Sequence, residues 1–63
     1  MRIIDYKTVA RMDNMVIFTL NDSSEIEAEI AKNGPKGFQH CIWLNGLDGK
    51  EYAVSEAGTL FEI

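Results

Sequence analysis

Residues 15–30 constrain the fold of this chain more than any other part of its sequence. A run of six apolar or β-branched residues, Met15–Leu20, is followed by a polar cluster and then by the strict alternation Glu25–Ile30. Alternation with a period of two is typical of a strand with one buried face, and a continuous apolar run is typical of a strand covered on both faces. The stretch therefore predicts a β-hairpin whose first strand needs a covering partner.

Short strands recur along the whole chain. The pattern predicts them at 3–12, 15–20, 25–31, 38–44, 51–55 and 59–63, with Gly, Asn and Asp between them. This spacing favours an all-β fold, a small antiparallel meander of five to six strands arranged as an SH3-like barrel or a compact sandwich. The 63 residues predict a single small β domain, 1–63. A domain of this size buries only about 60% of the surface that its unfolded chain exposes.

Residues 24–32 allow a second interpretation. Ser24 and Glu27 form a capping box, the sequence signature of a helix N-terminus, and a short helix here would make the fold α+β. We favour the strand because the alternation is unbroken over six residues, whereas a helix would turn Ala28 away from the two neighbouring isoleucines.

The lengths of the turns predict which residues face the core. A two-residue loop after Met12 pairs that residue with Met15. A four-residue loop after Leu20 pairs Ile17 with Ala28. Because paired residues share a face, the predicted core face collects Ile4, Tyr6, Thr8, Ala10, Met12, Met15, Ile17, Thr19, Ile26, Ala28 and Ile30.

The opposite face of the hairpin predicts a partner-binding surface. An apolar stripe lies there between an acidic row and a mostly basic row, which is typical of an interface. In the second half, a two-residue turn at Asp48 and Gly49 pairs Trp43 with Val54, and Trp43 is an aromatic anchor for the same surface. The predicted partner-binding residues are Val16, Phe18, Leu20, Glu25, Glu27, Glu29 and Trp43. The alternative is that the C-terminal half folds over the stripe as a second layer.

The sequence shows no catalytic or metal-binding pattern. His40 and Cys41 are the only soft metal ligands, and neighbours on a strand point to opposite faces, so we expect no metal or other cofactor. The three glutamates of the acidic row would lie about 6.6–7 Å apart along a strand, but an exposed row lacks the pocket that would raise one pKa. We expect a protein that is not an enzyme.

The net charge of the chain limits the classes of molecule that it is expected to bind. Ten acidic and six basic side chains give a net charge of -4, which disfavours direct binding to nucleic acid or to an anionic membrane and favours a basic protein. The single Cys excludes an internal disulfide and fits a reducing compartment, and the first residues turn polar too early for a signal peptide. We therefore expect a cytoplasmic protein.

Two functions fit these observations. The first is a regulatory or accessory protein-binding module that self-associates, most simply as a homodimer, through a sheet face or an edge strand. A domain this small usually needs a disulfide, a metal or a second subunit for stability, and only the last is open to this chain. The second is an acidic inhibitor that presents Glu25, Glu27 and Glu29 to the basic nucleic-acid groove of a target protein.

Overall fold

A computed structural model describes residues 1–32 and 40–63 of the chain. They form one curled antiparallel sheet, shaped like a half-barrel. Its strands are β1 Arg2–Ile4, β2 Tyr6–Met12, β3 Met15–Leu20, β4 Glu25–Ile30, β5 Cys41–Gly46, β6 Glu51–Ser55 and β7 Leu60–Glu62. The predicted small all-β meander is confirmed, although the described residues form seven strands and not the predicted five to six. The strand predicted at 3–12 divides at Asp5, and the first two residues of the one predicted at 38–44 lie outside the described residues.

The order of the strands explains the curl of the sheet. The order is β1-β7-β6-β5-β4-β3-β2, so β1 and β2 form opposite edges. Only Asp5 separates these two strands along the chain. At about 3.3–3.6 Å per extended residue, the end of β1 and the start of β2 are at most about 7 Å apart. The two edges of the sheet therefore come close together at Asp5. Beyond this point β2 runs away from β1, and the described strands leave its outer edge without a partner.

Three of the hairpins use the same three-residue loop. In each, the last loop residue has a positive φ, as in a turn that ends in the left-handed region. These residues are Ser23 (72°), Gly49 (86°) and Gly58 (89°). Their amides donate to the residue before the loop, Ser23 to the Leu20 carbonyl at 3.0 Å, Gly49 to Gly46 at 3.1 Å and Gly58 to Ser55 at 2.9 Å.

The loop lengths decide which predicted registers are right. The two-residue loop between β2 and β3 is confirmed, with Met12 opposite Met15. The register of β3 with β4 was wrong by one residue, because Ala28 lies opposite Val16 and not opposite Ile17. In the same way Trp43 lies opposite Ala53, and the predicted pairing with Val54 was wrong. A loop of three residues replaces the predicted four in the first hairpin and the predicted two in the second.

The shift by one residue exchanges the two faces of β3, as the pleat of a strand requires. The core cluster is made of Val16, Phe18, Ala28, Leu44, Tyr52 and Leu60. Around it pack the partly buried Ile4, Tyr6, Leu20, Ile26, Ile30 and Val54. The prediction was therefore right for Ile4, Tyr6, Ile26, Ala28 and Ile30. It was wrong for Thr8, Ala10, Met12, Met15, Ile17 and Thr19, which lie outside the core cluster.

The alternative helix at 24–32 is wrong. Residues 25–30 form β4, and their burial alternates, with the three glutamates exposed and Ala28 fully buried. Pairing with β3 satisfies the backbone of β4, and the period of two then buries its apolar side chains together. No helix long and apolar enough to cross a membrane occurs in the part of the chain that the structure describes.

Candidate protein-binding groove

An apolar groove of about 280 Å³ opens on the concave side of the curled sheet. Its floor and walls include Val9, Arg11, Val16, Phe18, Ile42 and Val54. The floor residues Val16 and Phe18 are 7% and 1% exposed, whereas Val9 and Ile42 on the walls are 50% and 43% exposed. An apolar concavity of this size can accept a small ligand or a few side chains of a partner. These residues define the groove.

A β-bulge at Lys7 aims β2 into the groove. Tyr6 pairs with Leu20 and Thr8 pairs with Thr19, so Lys7 is an extra residue on β2. The insertion reverses the alternation, and the residues that follow Thr8 at odd positions then join Tyr6 on the concave side. The regular alternation predicted for this strand placed these residues on the other face from Tyr6. No glycine marks the position of the bulge in the sequence.

One end of the groove is closed by Tyr6. Its hydroxyl donates to the carbonyl oxygen of Gly58 at 2.5 Å, which connects β2 to the loop between β6 and β7. Its ring meets Phe18 edge to face, with centroids 5.1 Å apart and planes at 72°. An edge-to-face pair of this kind adds about 0.5–1.5 kcal/mol to the burial of the rings. The contacts hold β2 near the rest of the sheet where it leaves Asp5.

The rim of the groove on β2 is basic. Arg11 is the one charged side chain among the described residues that line the groove. Lys7 and Arg11 are exposed, and neither lies within 4.0 Å of a carboxylate, although the described residues include all ten acidic side chains. The guanidinium Nε of Arg11 donates to the backbone oxygen of Asp13 at 3.5 Å, a long hydrogen bond. The groove therefore offers an apolar interior beside an unneutralised positive charge.

The apolar stripe of Val16, Phe18 and Leu20 was predicted on an outward face, but the structure places it against the core. Val16 and Phe18 lie inside the subunit, and Leu20 is partly buried against the same core. Their predicted exposure on an outward face was wrong, and the alternative in which the C-terminal half covers the stripe is confirmed by Leu44, Tyr52 and Leu60 in the same cluster. Part of the stripe still meets the surface, as the floor of the groove.

The acidic row lies on the other side of the sheet from the groove. Glu25, Glu27 and Glu29 are exposed and sit opposite Thr19, Ile17 and Met15 of β3. The glutamates do not take part in any ion pair among the described residues. The structure thus separates the carboxylates from the apolar stripe that they were predicted to border.

Trp43 packs outside the main cluster. It is 6% exposed, lies opposite Ala53, and donates its indole N–H to Glu51 Oε2 at 2.9 Å. A tryptophan that is so well buried and hydrogen-bonded stabilises the subunit. Trp43 therefore lies apart from the groove but on the same face of the sheet as the acidic row, because Glu29 pairs with Asn45, two residues from Trp43 on β5.

The titratable residues Tyr52 and Asp48 form a hydrogen bond that stabilises the fold. The hydroxyl of Tyr52 donates to Asp48 Oδ2 at 2.8 Å, and burial together with this bond raises the pKa of Tyr52 to about 12. A hydrogen bond from the amide of Lys50 and the one from Tyr52 lower the pKa of Asp48. Within the described residues no group of three or more His, Cys, Asp or Glu side chains is placed to hold a metal ion.

We expect alkali to destabilise the protein through Tyr52. The folded state holds the phenol proton more tightly than the unfolded chain, whose pKa is 10.0. The contribution of Tyr52 is therefore complete below pH 10 and is lost as the pH rises towards about 12. Urea unfolding at pH 8, 10 and 11.5 measures the free energy of unfolding. The variant Tyr52→Phe should lose less stability over the same range, and an equal loss in both proteins would contradict the assignment.

Comparison of the chain with protein-family models, with curated proteins and with solved structures finds no match.

Proposed function

We propose that this chain is a non-catalytic protein-binding module that holds its partner in the groove. The observation that supports this best is the pair of half-exposed apolar walls, Val9 and Ile42, over a buried apolar floor. Water is a poor solvent for such a surface, and covering it is favourable at about 25 cal/mol per Å² of apolar area. A partner that fills the groove would gain this energy.

The composition of the groove favours binding over catalysis. The hydroxyls of Ser55 and Tyr6 line the groove, but no His, Cys or carboxylate is among its described lining residues to act as the general base that a hydroxyl nucleophile needs. Arg11 can orient an anionic group but cannot accept a proton. The proposal is therefore a binding function with an apolar centre and one polar contact.

Of the two routes to self-association that the sequence indicated, a sheet face and an edge strand, only the edge strand is still open. The sheet face that the sequence indicated cannot bind a second copy, because its residues Val16 and Phe18 are buried inside the subunit. The outer edge of β2 is the longest free edge among the described strands. Sedimentation equilibrium distinguishes a dimer of this kind from a monomer that binds another protein.

The test is a pull-down from native lysate with the chain and two arginine variants. Ile42→Arg places a charge in the wall of the groove, and we expect it to reduce capture of the main partner about tenfold or more. Met12→Arg is the matched control, because Met12 is 65% exposed and lies opposite Met15 on the other face of the sheet. It should retain capture. Thermal unfolding of both variants verifies that they are folded, and full capture by folded Ile42→Arg would overturn the proposal.

A second function, an acidic inhibitor, is supported by the exposed and unpaired row of Glu25, Glu27 and Glu29. Electrostatic capture weakens steeply with salt, whereas apolar contacts do not. The same pull-down at two salt concentrations therefore includes a third variant in which the three glutamates are replaced by Gln. Loss of capture in this variant alone, together with strong salt dependence, would favour the inhibitor over the groove.

A further inference from the structure

The outer edge of β2 is unpaired in the described part of the chain. β2 is seven residues long, and β3 is the only strand that pairs with it in the described part of the chain. A free edge presents alternate backbone N–H and C=O groups, which an extended peptide can pair with by β-augmentation. Natural edge strands are often short, and β1 at the opposite edge has three residues. The length of β2 sets it apart.

The groove lies beside this edge. Val9 and Arg11 are on β2 and line the groove, so a strand added to the edge would continue the concave surface. Alternate side chains of a strand point to one face. Every second residue of the added strand would therefore face the groove, towards Ile42 and Val54 on the far wall.

The positive charges on β2 favour an added strand that carries a negative charge. In a chain of net charge -4, this edge carries Lys7 and Arg11, both exposed and both more than 4.0 Å from any carboxylate of the chain. A carboxylate on the added strand can pair with Arg11, the charged residue on the groove side, and the neighbouring apolar side chain can cover Val9. An acidic residue two positions from an apolar one meets both requirements.

A second copy of β2 fits this edge less well. Antiparallel pairing about a two-fold axis preserves the faces of a sheet, so the second copy would also direct Val9 and Arg11 towards the concave side. Two arginines would then share a groove that has no carboxylate among its described lining residues. Like charges on one face repel, and a positively charged edge is a known protection against self-pairing.

We infer that the free edge of β2 and the groove together bind an extended peptide segment of a partner protein, in which apolar residues alternate and an acidic residue pairs with Arg11. This inference rests on the proposed function and names the chemistry of the partner. Backbone pairing along the edge supplies a general affinity, and the groove and Arg11 supply the preference for sequence.

The probe is the capped peptide Thr-Glu-Thr-Val-Thr-Val-Thr. In antiparallel register its glutamate can lie beside Arg11 and its next inward residue, a valine, beside Val9. Amide chemical shifts of the isotope-labelled full chain are followed during titration. We expect shifts of the backbone amides of β2 and of the groove residues, and slower hydrogen exchange at the outer edge of β2. The same peptide with lysine in place of glutamate should bind about tenfold more weakly.

Charge exchange tests the contact with Arg11. The variant Arg11→Glu should reverse the preference, so that the lysine peptide binds more tightly than the glutamate peptide. Lys50→Glu is the control, because it changes the net charge equally at a residue that does not line the groove. It should leave the preference as in the unaltered chain. Equal affinity of the unaltered chain for the two peptides would overturn the inference.

Other outcomes separate the inference from the proposed function. If neither peptide shifts the amides of β2 while Ile42→Arg still abolishes partner capture, the groove binds a partner in another way and only the inference fails. If decanoate alone shifts the groove residues, the site takes a small amphiphilic acid and the inference fails. A dimer in sedimentation that protects the β2 amides without peptide also overturns it, in favour of a second copy.

Discussion

Phe18→Lys is expected to unfold the chain, whereas Ile17→Lys is expected to leave it folded. Phe18 is 1% exposed and packs against the ring of Tyr6. Removing a buried phenylalanine side chain costs about 3–5 kcal/mol, and an unpaired ammonium in its place adds a further penalty. At about 0.05–0.15 kcal/mol per residue, a chain of this length has a total stability of roughly 3–9 kcal/mol. The substitution alone is therefore enough to unfold most of the molecules.

Ile17 is the matched control because it neighbours Phe18 on β3 and points to the other face. It is partly exposed and lies directly opposite Glu27. A lysine there gains an opposite-charge cross-strand pair, worth about 0.2–1 kcal/mol, which offsets part of the lost apolar contact.

Circular dichroism and urea unfolding of the two variants measure the difference. The comparison also tests the register of β3 with β4, because the register predicted from the sequence placed Ile17 inside and Phe18 outside. A folded Phe18→Lys protein together with an unfolded Ile17→Lys protein would show that the predicted register was right and that the structure has the wrong face buried.

Gly46→Asn is expected to destabilise the protein by about 3 kcal/mol, at the upper end of the range for overpacked sites, and Gly49→Asn by about 1 kcal/mol or less. A Cβ atom at Gly46 would lie 2.7 Å from Tyr52 Cε2 and 2.9 Å from the carbonyl oxygen of Lys50, and would also meet Asp48 Oδ1. Tyr52 is 2% exposed and its hydroxyl is held by Asp48, so the ring cannot move away without losing core contacts.

Gly49 belongs to the same turn but is needed for a different reason. Its φ is +86°, and among the described residues no heavy atom other than those of Gly49 and its two chain neighbours lies within 4 Å of the position that a Cβ would take. Asn is one of the residues that adopt positive φ most readily, so it should be tolerated. Urea unfolding of the two Asn variants under the same conditions measures the loss in the free energy of unfolding at each glycine. Equal costs at both glycines would show that Tyr52 and Lys50 do not enclose Gly46 as closely as the structure indicates.

Much of the fold follows from local sequence patterns. The strands at 15–20 and 51–55 begin and end where alternation and turn residues predict, and the prediction of a strand over a helix near Ala28 is confirmed. The loop after Met12 also has the predicted length. These features depend on neighbouring residues only, which is why one sequence suffices to predict them.

The candidate site was predicted poorly because it depends on single-residue shifts. A three-residue loop before Glu25 turns Phe18 inward, and a bulge at Lys7 brings Val9 and Arg11 to the groove. A non-glycine residue, Ser23, adopts the positive φ that the first loop needs, at 72°. The polar cluster at 21–24 fits loops of three or four residues equally well, and only the packing of β3 against the C-terminal half favours one of them.

The amino-acid sequence by itself determined that this protein is a small acidic sheet of short antiparallel strands, because periodicity and turn residues act over a few positions. The tertiary structure decided which face of each strand is buried, where the two edges of the sheet come close together, and that an apolar groove remains beside β2. The physical reason is that a strand has nearly the same local energy in two registers. The burial of Val16, Phe18, Leu44 and Leu60 in one cluster, which requires residues from both halves of the chain, selects between them.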